Sequence, residues 1–247
     1  MQTRRAFTLT ELIVVIPMIA LIFVVVLPLL YANQKSGCAV SGSYGVRAIV
    51  QAMMIHASSN TDILPGRSKN GEIPASLIKY SNLGGHSVEG RYAIMLEEAL
   101  IDSPVMLSWG DSPNRPWTAP NMVTTSNYSF ALLELETSTP RQKTWDSVHN
   151  PSTIPLACDR LISMATPRGP NHASCKSYWS STNQAWFGFV GYGDAHVEFE
   201  DDPFIDDTRF WAQSCRSDDL FFDEGGAGCG SGSNALMAQK GVSTVTP

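Results

Sequence analysis

The longest apolar stretch of the chain lies near its amino terminus. Nineteen consecutive residues from Leu12 to Leu30 carry no charged side chain, and a helix needs roughly 20 apolar residues to cross a bilayer. Arg4 and Arg5 precede this stretch, and positively charged residues stay on the cytoplasmic side of a membrane. The pattern therefore predicts one membrane-spanning helix, with everything after Tyr31 on the outer side.

A second apolar pattern begins after three glycines between residues 36 and 45, where we expect the first helix to loosen or break. The apolar residues that follow recur at helical spacing and share one face; they are Val46, Ile49, Val50, Met53, Met54 and Ala57. Asn60, Pro65 and Gly66 end the run. The pattern predicts an amphipathic helix onto which a sheet packs.

Shorter patterns follow in the rest of the chain. Residues 91 to 100 predict a short helix, and three runs between proline-rich loops are typical of strands, at residues 105–109, 128–135 and 154–157. The clearest pair of strands covers residues 186–192 and 195–200, with Gly193-Asp194 as a two-residue hairpin turn. We expect Ala195, Val197 and Phe199 to face the core, because alternate residues of a strand share one face.

The composition narrows the function classes. Of the 247 residues, 43% are hydrophobic and 16% are charged, which excludes a disordered chain. The net charge is -6, and 11 of the 23 acidic residues lie between Asp194 and Glu224. Such a surface repels phosphate groups, so we expect no nucleic-acid partner.

The residues around the start of the apolar stretch form a recognisable motif. Residues 4 to 15 read RRAFTLTELIVV, which closely resembles the cleavage and methylation signal of type IV prepilins and pseudopilins. The resemblance implies a cut between Ala6 and Phe7 by a prepilin peptidase, followed by methylation of the new Phe7 amine. Ala6 replaces the family's usual glycine. Glu11 falls on the fifth position of the mature chain, where the family carries its glutamate.

A second part of the resemblance lies in the predicted hairpin. A large class of pseudopilin-like proteins ends its domain with an Asn-His segment and a hairpin that reads roughly Asp-Gly-His-Val-Glu-Phe. This chain has Asn171-His172, and then GDAHVEF at residues 193–199. Ala195 replaces the usual glycine, and the interval from His172 to Asp194 is longer than in the class.

Together, these motifs imply an α+β, pilin-like fold, in which a long N-terminal membrane-spanning helix, or stem, precedes a globular domain with an antiparallel sheet. We expect a leader peptide in residues 1–6 and a transmembrane and assembly helix in residues 7–35. An extracytoplasmic domain follows in residues 36–224, and a flexible tail rich in glycine and serine in residues 225–247. The protein would be a single-pass protein of the bacterial inner membrane, with a cytoplasmic amino terminus and a periplasmic domain.

The function implied by the resemblance is that of a structural subunit of a pilin-like filament, with a pseudopilin of a type II secretion-like system as the favoured context. The expected partners are prepilin peptidase, other pilin-like subunits, the assembly platform and inner-membrane lipid. Glu11 of one subunit would pair with the Phe7 amine of its neighbour, because each charge needs compensation beside an apolar helix. The alternatives are a type IV pilus subunit for adhesion or motility and a membrane-anchored binding protein that does not polymerise.

Catalysis has little support in the sequence. Cys175, His172 and Asp194 supply the residue types of a thiol hydrolase, but they form no recognisable nucleophile motif. We therefore predict no enzyme activity and no catalytic residue.

The sequence also predicts a metal site and disulfides. Secretion-type pilin domains often hold calcium in an acidic loop, and oxygen ligands for a calcium ion are offered here by Glu200, Asp201, Asp202, Asp206 and Asp207. No other cofactor is expected. Four cysteines are disulfide candidates, with spacings that suggest Cys158–Cys175 and Cys215–Cys229 among 15 arrangements of two bridges from five cysteines.

Overall fold

The computed structural model describes residues 9–108, 114–147, 152–161, 186–211, 213–223 and 234–238. In the first helix, the described side chains are those of residues 12–24 and 42–59. The chain divides into two compact units, Met1–Val40 and Ser41–Pro247.

The helices of the described residues are α1 (Leu9–Ser59), α2 (Val88–Glu97) and α3 (Thr139–Trp145), with two short 3₁₀ helices at Ala75–Leu77 and Ser103–Met106. The strands are β1 (Arg67–Ser68), β2 (Gly71–Glu72), β3 (Phe130–Leu133), β4 (Pro155–Asp159), β5 (Gly188–Tyr192), β6 (Val197–Glu200), β7 (Phe204–Ile205), β8 (Thr208–Phe210), β9 (Gln213–Cys215), β10 (Asp218–Asp219) and β11 (Met237–Ala238).

The expectation of a membrane-spanning stem is wrong. Across the described part of the chain, no helix is long and apolar enough to cross a membrane. The pilin-like fold with a membrane stem and the single-pass inner-membrane location are therefore both corrected.

Within the described ranges, the central sheet has five antiparallel strands in the order β11-β3-β4-β5-β6. Its middle strand, β4, is buried along its whole length. The register between β4 and β5 shifts at Pro155, because proline has no N–H to donate to a ladder. The other paired strands, β1 with β2, β7 with β10 and β8 with β9, form two-stranded sheets.

The second half of α1 covers one face of this sheet. The predicted apolar face is confirmed, since Val46, Ile49, Val50, Met53 and Ala57 are all fully buried. Its sixth member, the side chain of Met54, is partly buried against the core. The glycines at residues 36–45 do not break the helix, which is continuous through this stretch.

Two glycines allow this close packing of helix and sheet. A Cβ atom at Gly191 in β5 would lie 2.6 Å from Val50 and 2.7 Å from Val46. A Cβ atom at Gly45 in α1 would lie 2.5 Å from the ring of Phe130. Because real side chains do not tolerate such distances, glycine is required on both sides of the contact.

Two predicted strands differ from the structure. Residues 103–106 form a 3₁₀ helix instead of the start of a strand at Val105, because Pro104 occupies its first turn and fixes φ near a helical value. Phe199 is 51% exposed and not in the core, because β6 is the last strand of the sheet that the described residues form. Val197 and Ala195 are partly buried against the core.

The loop between β5 and β6 has three residues instead of two. The Tyr192 N–H donates to the His196 carbonyl at 3.0 Å, and the Ala195 N–H donates to the Tyr192 carbonyl at 2.9 Å. Ala195 has φ of 67°. A residue with positive φ at the third position is typical of three-residue hairpin loops, and glycine is preferred there.

We predict that Ala195→Gly stabilises the protein by roughly 0.5–1 kcal/mol, because glycine adopts positive φ without the clash of a Cβ atom. Urea unfolding measures the change. The matched control is Ala48→Gly in the interior of α1, which should lower the free energy of unfolding by about 1 kcal/mol. Equal losses from both variants would contradict the assignment of strain to Ala195.

A buried ion pair connects α3 to the end of the sheet. Arg141 donates to Glu134 at 2.5 Å, and these two side chains are 0% and 5% exposed. Arg141 also donates to the carbonyl and to the side-chain oxygen of Asn234, at 2.8 and 3.0 Å. Glu134 accepts a further bond from the Thr137 N–H at 2.7 Å. The pair thus joins the segments that follow β3 and precede β11.

We predict that Arg141→Met destabilises the protein by about 3–5 kcal/mol, because it leaves the Glu134 carboxylate buried without its counter-ion. The double variant Arg141→Met with Glu134→Gln should lose less than the single variant, since it removes the unpaired charge. Chemical unfolding of the three proteins provides the comparison. A double variant that is less stable than Arg141→Met would show that the charge is not the main cause.

Candidate functional site

A cavity of about 410 Å³ lies beside the outer strand of the sheet. It is bounded by the β5–β6 hairpin, by residues 152–153 before β4 and by the segment 201–206 after β6. Its lining is strongly acidic and includes two aromatic rings and one imidazole; the main residues are Glu198, Glu200, Asp201, Asp202, Asp206, Tyr192, Phe204 and His196. We take this acidic cavity as the candidate site.

The hairpin places the polar groups of the cavity by simple alternation. Val190 pairs with Glu198 and Gly188 with Glu200, so both carboxylates project from the same face of the sheet. Tyr192 and His196 adjoin them at the closed end of the hairpin. The rings of Tyr192 and His196 stack at 4.4 Å with an angle of 5° between their planes.

A chain of hydrogen bonds orders this face. The Tyr192 hydroxyl donates to Glu200 at 2.8 Å. At the turn, the Asp194 carboxylate accepts from the His196 N–H at 3.1 Å and also contacts the His196 ring. The Tyr192 and His196 rings stack on each other. Glu200 and Asp194 therefore fix the orientation of the two stacked rings, each through one of them.

The electrostatics of the cavity favour a proton or a cation. Burial raises the pKa of Glu200, and repulsion by Glu198, Asp202 and Asp201 raises it further, although the hydrogen bond from Tyr192 opposes this shift. Burial also raises the pKa of Tyr192, as does its bond to Glu200. Asp194 is only slightly buried, and its hydrogen bonds from His196 outweigh that burial and lower its pKa.

We predict that Glu200→Gln raises stability relative to the parent protein at pH 7 and that this advantage shrinks as the pH falls below 4.5. A raised pKa means that the folded state holds the proton more tightly, so Glu200 favours folding at pH below its ordinary value of 4.5. That contribution is lost as the pH rises through the folded pKa. Denaturant unfolding at pH 4 and pH 7 measures the difference.

The control for this prediction is Glu136→Gln, which removes an exposed carboxylate that does not line the cavity. Its effect on stability should be small at both pH values. A Glu200→Gln variant that changes stability equally at pH 4 and pH 7 would contradict the raised pKa.

Four of the five residues predicted to bind calcium line the cavity: Glu200, Asp201, Asp202 and Asp206. The fifth, Asp207, is exposed and lies 3.7 Å from Arg216. Asp202 accepts a bond from the Phe204 N–H at 2.8 Å. Among the described residues, no three histidine, cysteine, aspartate or glutamate side chains are arranged to hold a metal ion. Calcium binding stays a prediction.

The two described cysteines of the globular unit differ in oxidation state. Cys158 is a free thiol in the middle strand, and its burial raises its pKa well above the ordinary value. The suggested pairing of Cys158 with Cys175 therefore does not occur in this structure. Cys215 is buried and disulfide-bonded. Cys175 and Cys229 lie outside the described residues.

The residues of the predicted processing signal lie at the edge of what the structure describes. Ala6 and Phe7 lie outside it, as does His172. Glu11 belongs to α1, but its side chain is not among those described. Asp194, the third residue of the thiol-hydrolase alternative, contacts His196 in the hairpin.

The described side chains of the first unit form a wholly apolar, exposed surface, which we call the apolar segment of α1 (residues 12–24). Its large side chains are between 39% and 73% exposed. Leu12, Ile13, Val14 and Val15 are consecutive and all exposed, and four consecutive residues point in directions about 100° apart around a helix. The apolar surface therefore surrounds the helix on all sides.

Sequence reasoning identified the acidic residues after β6 but not the cavity. Tyr192, His196 and Phe204 were not predicted as site residues. The signal for Tyr192 and His196 was the alternation in the hairpin, because an inward set at Ala195, Val197 and Phe199 implies an opposite set at His196, Glu198 and Glu200. Phe204 lies after the hairpin and had no such signal. Residues 152–153 carried no such signal, since their approach to residues 201–206 depends on the tertiary fold.

Comparisons with protein-family models, with curated proteins and with solved structures gave no match for this chain.

Proposed function

We propose that this protein is a structural subunit of a filament, assembled by packing the apolar segments of α1 from several copies against one another. The observation that carries the proposal is the exposure of that segment on all sides of the helix. A helix that is apolar all round requires burial on all sides. Packing against one partner would cover a single face, whereas the interior of a helical filament surrounds each subunit's helix with neighbours.

The amino-terminal motif supports the same proposal. Cleavage between Ala6 and Phe7 by a prepilin peptidase would create an ammonium group one helical turn before Glu11. In an apolar environment each of these charges needs a partner. Pairing of Glu11 with the Phe7 amine of a neighbouring copy would satisfy both charges and fix the axial register of the packed helices.

We favour a pseudopilin of a type II secretion-like system as the context, since the hairpin at residues 193–199 resembles that of pseudopilin-like proteins. The partners in this proposal are prepilin peptidase, other pilin-like subunits and the assembly platform of the secretion system. The proposal contains no catalytic residue and does not include a membrane-spanning helix.

The proposal predicts that Leu21→Gln impairs filament formation, because it places a polar group within the packed helices. Leu77→Gln is the matched control, since Leu77 is 72% exposed and Leu21 is 68% exposed. Glu11→Gln should impair assembly as well, while Glu136→Gln should not. Assembly is measured in the native host by electron microscopy and by the sedimentable fraction of the protein.

The mass and amino-terminal sequence of the mature protein complete this test. A chain that begins at methylated Phe7 supports prepilin processing. A chain that keeps Met1 and stays monomeric in the native host would overturn the filament proposal. Equal assembly of the Leu21→Gln and Leu77→Gln variants would show that the apolar segment is not the packing surface.

A further inference from the structure

In the part of the chain that the structure describes, the outer strand β6 has backbone groups that pair with no other strand. In the strand order of the described residues, β6 is the last strand of the sheet. Tyr192 and His196 are a hydrogen-bonded pair, and such pairs alternate along an antiparallel ladder. The backbone N–H and C=O groups of Glu198 and Glu200 therefore bond to β5. Those of Val197 and Phe199 point away from the sheet. These groups form a template for one additional strand.

The two faces beside this edge have different chemistry. Glu198 and Glu200 line the acidic cavity on one face. Phe199 lies on the opposite face, where it is 51% exposed. Its ring contacts those of Phe189 and Phe187, with centroids 5.4 and 6.0 Å away. A strand added to β6 would place alternate side chains over the acidic cavity and over this aromatic patch.

The negative charge of the cavity favours an added strand with basic side chains. Five carboxylates line it, and its lining residues, all from the described part of the chain, include no lysine or arginine. The Thr153 hydroxyl oxygen in its wall is inaccessible to solvent and has no hydrogen-bond partner among the described residues. A second copy of β6 fits poorly, because its own glutamates would face Glu198 and Glu200, and like charges on opposed strands are destabilising.

We propose that β6 is a docking strand for an extended segment of another protein in which basic and apolar residues alternate. The backbone of the segment bonds to Val197 and Phe199, its lysine or arginine side chains enter the acidic cavity, and its apolar side chains cover the aromatic patch around Phe199. This is strand addition, in which the backbone supplies affinity and alternate side chains supply specificity. The inference goes beyond the proposed function and does not depend on leader cleavage or on filament assembly.

The test uses the full chain and a fluorescent heptapeptide that alternates valine and lysine. Two control peptides are an isomer with the lysines grouped at one end and a peptide that alternates valine and glutamate. Fluorescence anisotropy measures binding at several salt concentrations. We expect the alternating lysine peptide to bind at least about tenfold more tightly than either control, with an affinity that falls as salt rises.

Variants of the protein locate the binding surface. Val197→Pro removes an outward N–H that β5 does not use, a position where a strand tolerates proline, and it should weaken binding by about tenfold or more. Glu136→Gln should leave binding unchanged. Glu198→Lys, Asp201→Lys and Asp206→Lys in one variant change three exposed positions on the cavity. Three ammonium groups then face the two remaining carboxylates, so the lining becomes positive and should transfer the preference to the glutamate peptide. Such a gain of binding cannot result from misfolding.

Failure of all three peptides to bind would overturn the inference, as would equal binding of the alternating and grouped lysine peptides. A Val197→Pro variant that is folded by circular dichroism and binds like the parent would exclude strand addition. A charge-reversed variant that keeps its preference for lysine would exclude the acidic cavity as the source of specificity.

Discussion

The close contact between α1 and the central sheet is the constraint on which the rest of the globular unit depends. Val46 and Val50 occupy the space above Gly191, so the helix lies near enough to the sheet for its whole apolar face to be buried. The other face of β5 and β6 is thereby left for the segments that follow the hairpin. The acidic cavity exists because those later segments cover this second face only in part.

Some of this architecture is encoded locally and some is not. The helical spacing of Val46, Ile49 and Val50 predicted the buried face correctly, because periodicity directly reflects which side of a helix meets the core. The strand predicted at Val105 failed because one proline outweighed the local apolar pattern. Phe199 was misplaced because alternation identifies two faces of a strand but does not reveal whether that strand lies at the centre or the edge of a sheet.

The candidate site also combines features that the local sequence encodes with features that depend on the tertiary fold. The acidic character of residues 200–207 was legible in the sequence, since it depends on composition alone. The cavity was not, because it requires residues 152–153 to approach the segment 201–206 and requires Tyr192 to stack on His196.

The free thiol of Cys158 makes opening of the central sheet measurable by thiol alkylation. It lies fully buried on β4, between β3 and β5, and no reagent reaches it while these strands remain paired. Its alkylation therefore proceeds only through states in which the sheet has opened, and its rate reports the free energy of that opening. The central layer of the protein thus carries its own probe of cooperativity, placed where no added label could be accommodated without disturbing the packing.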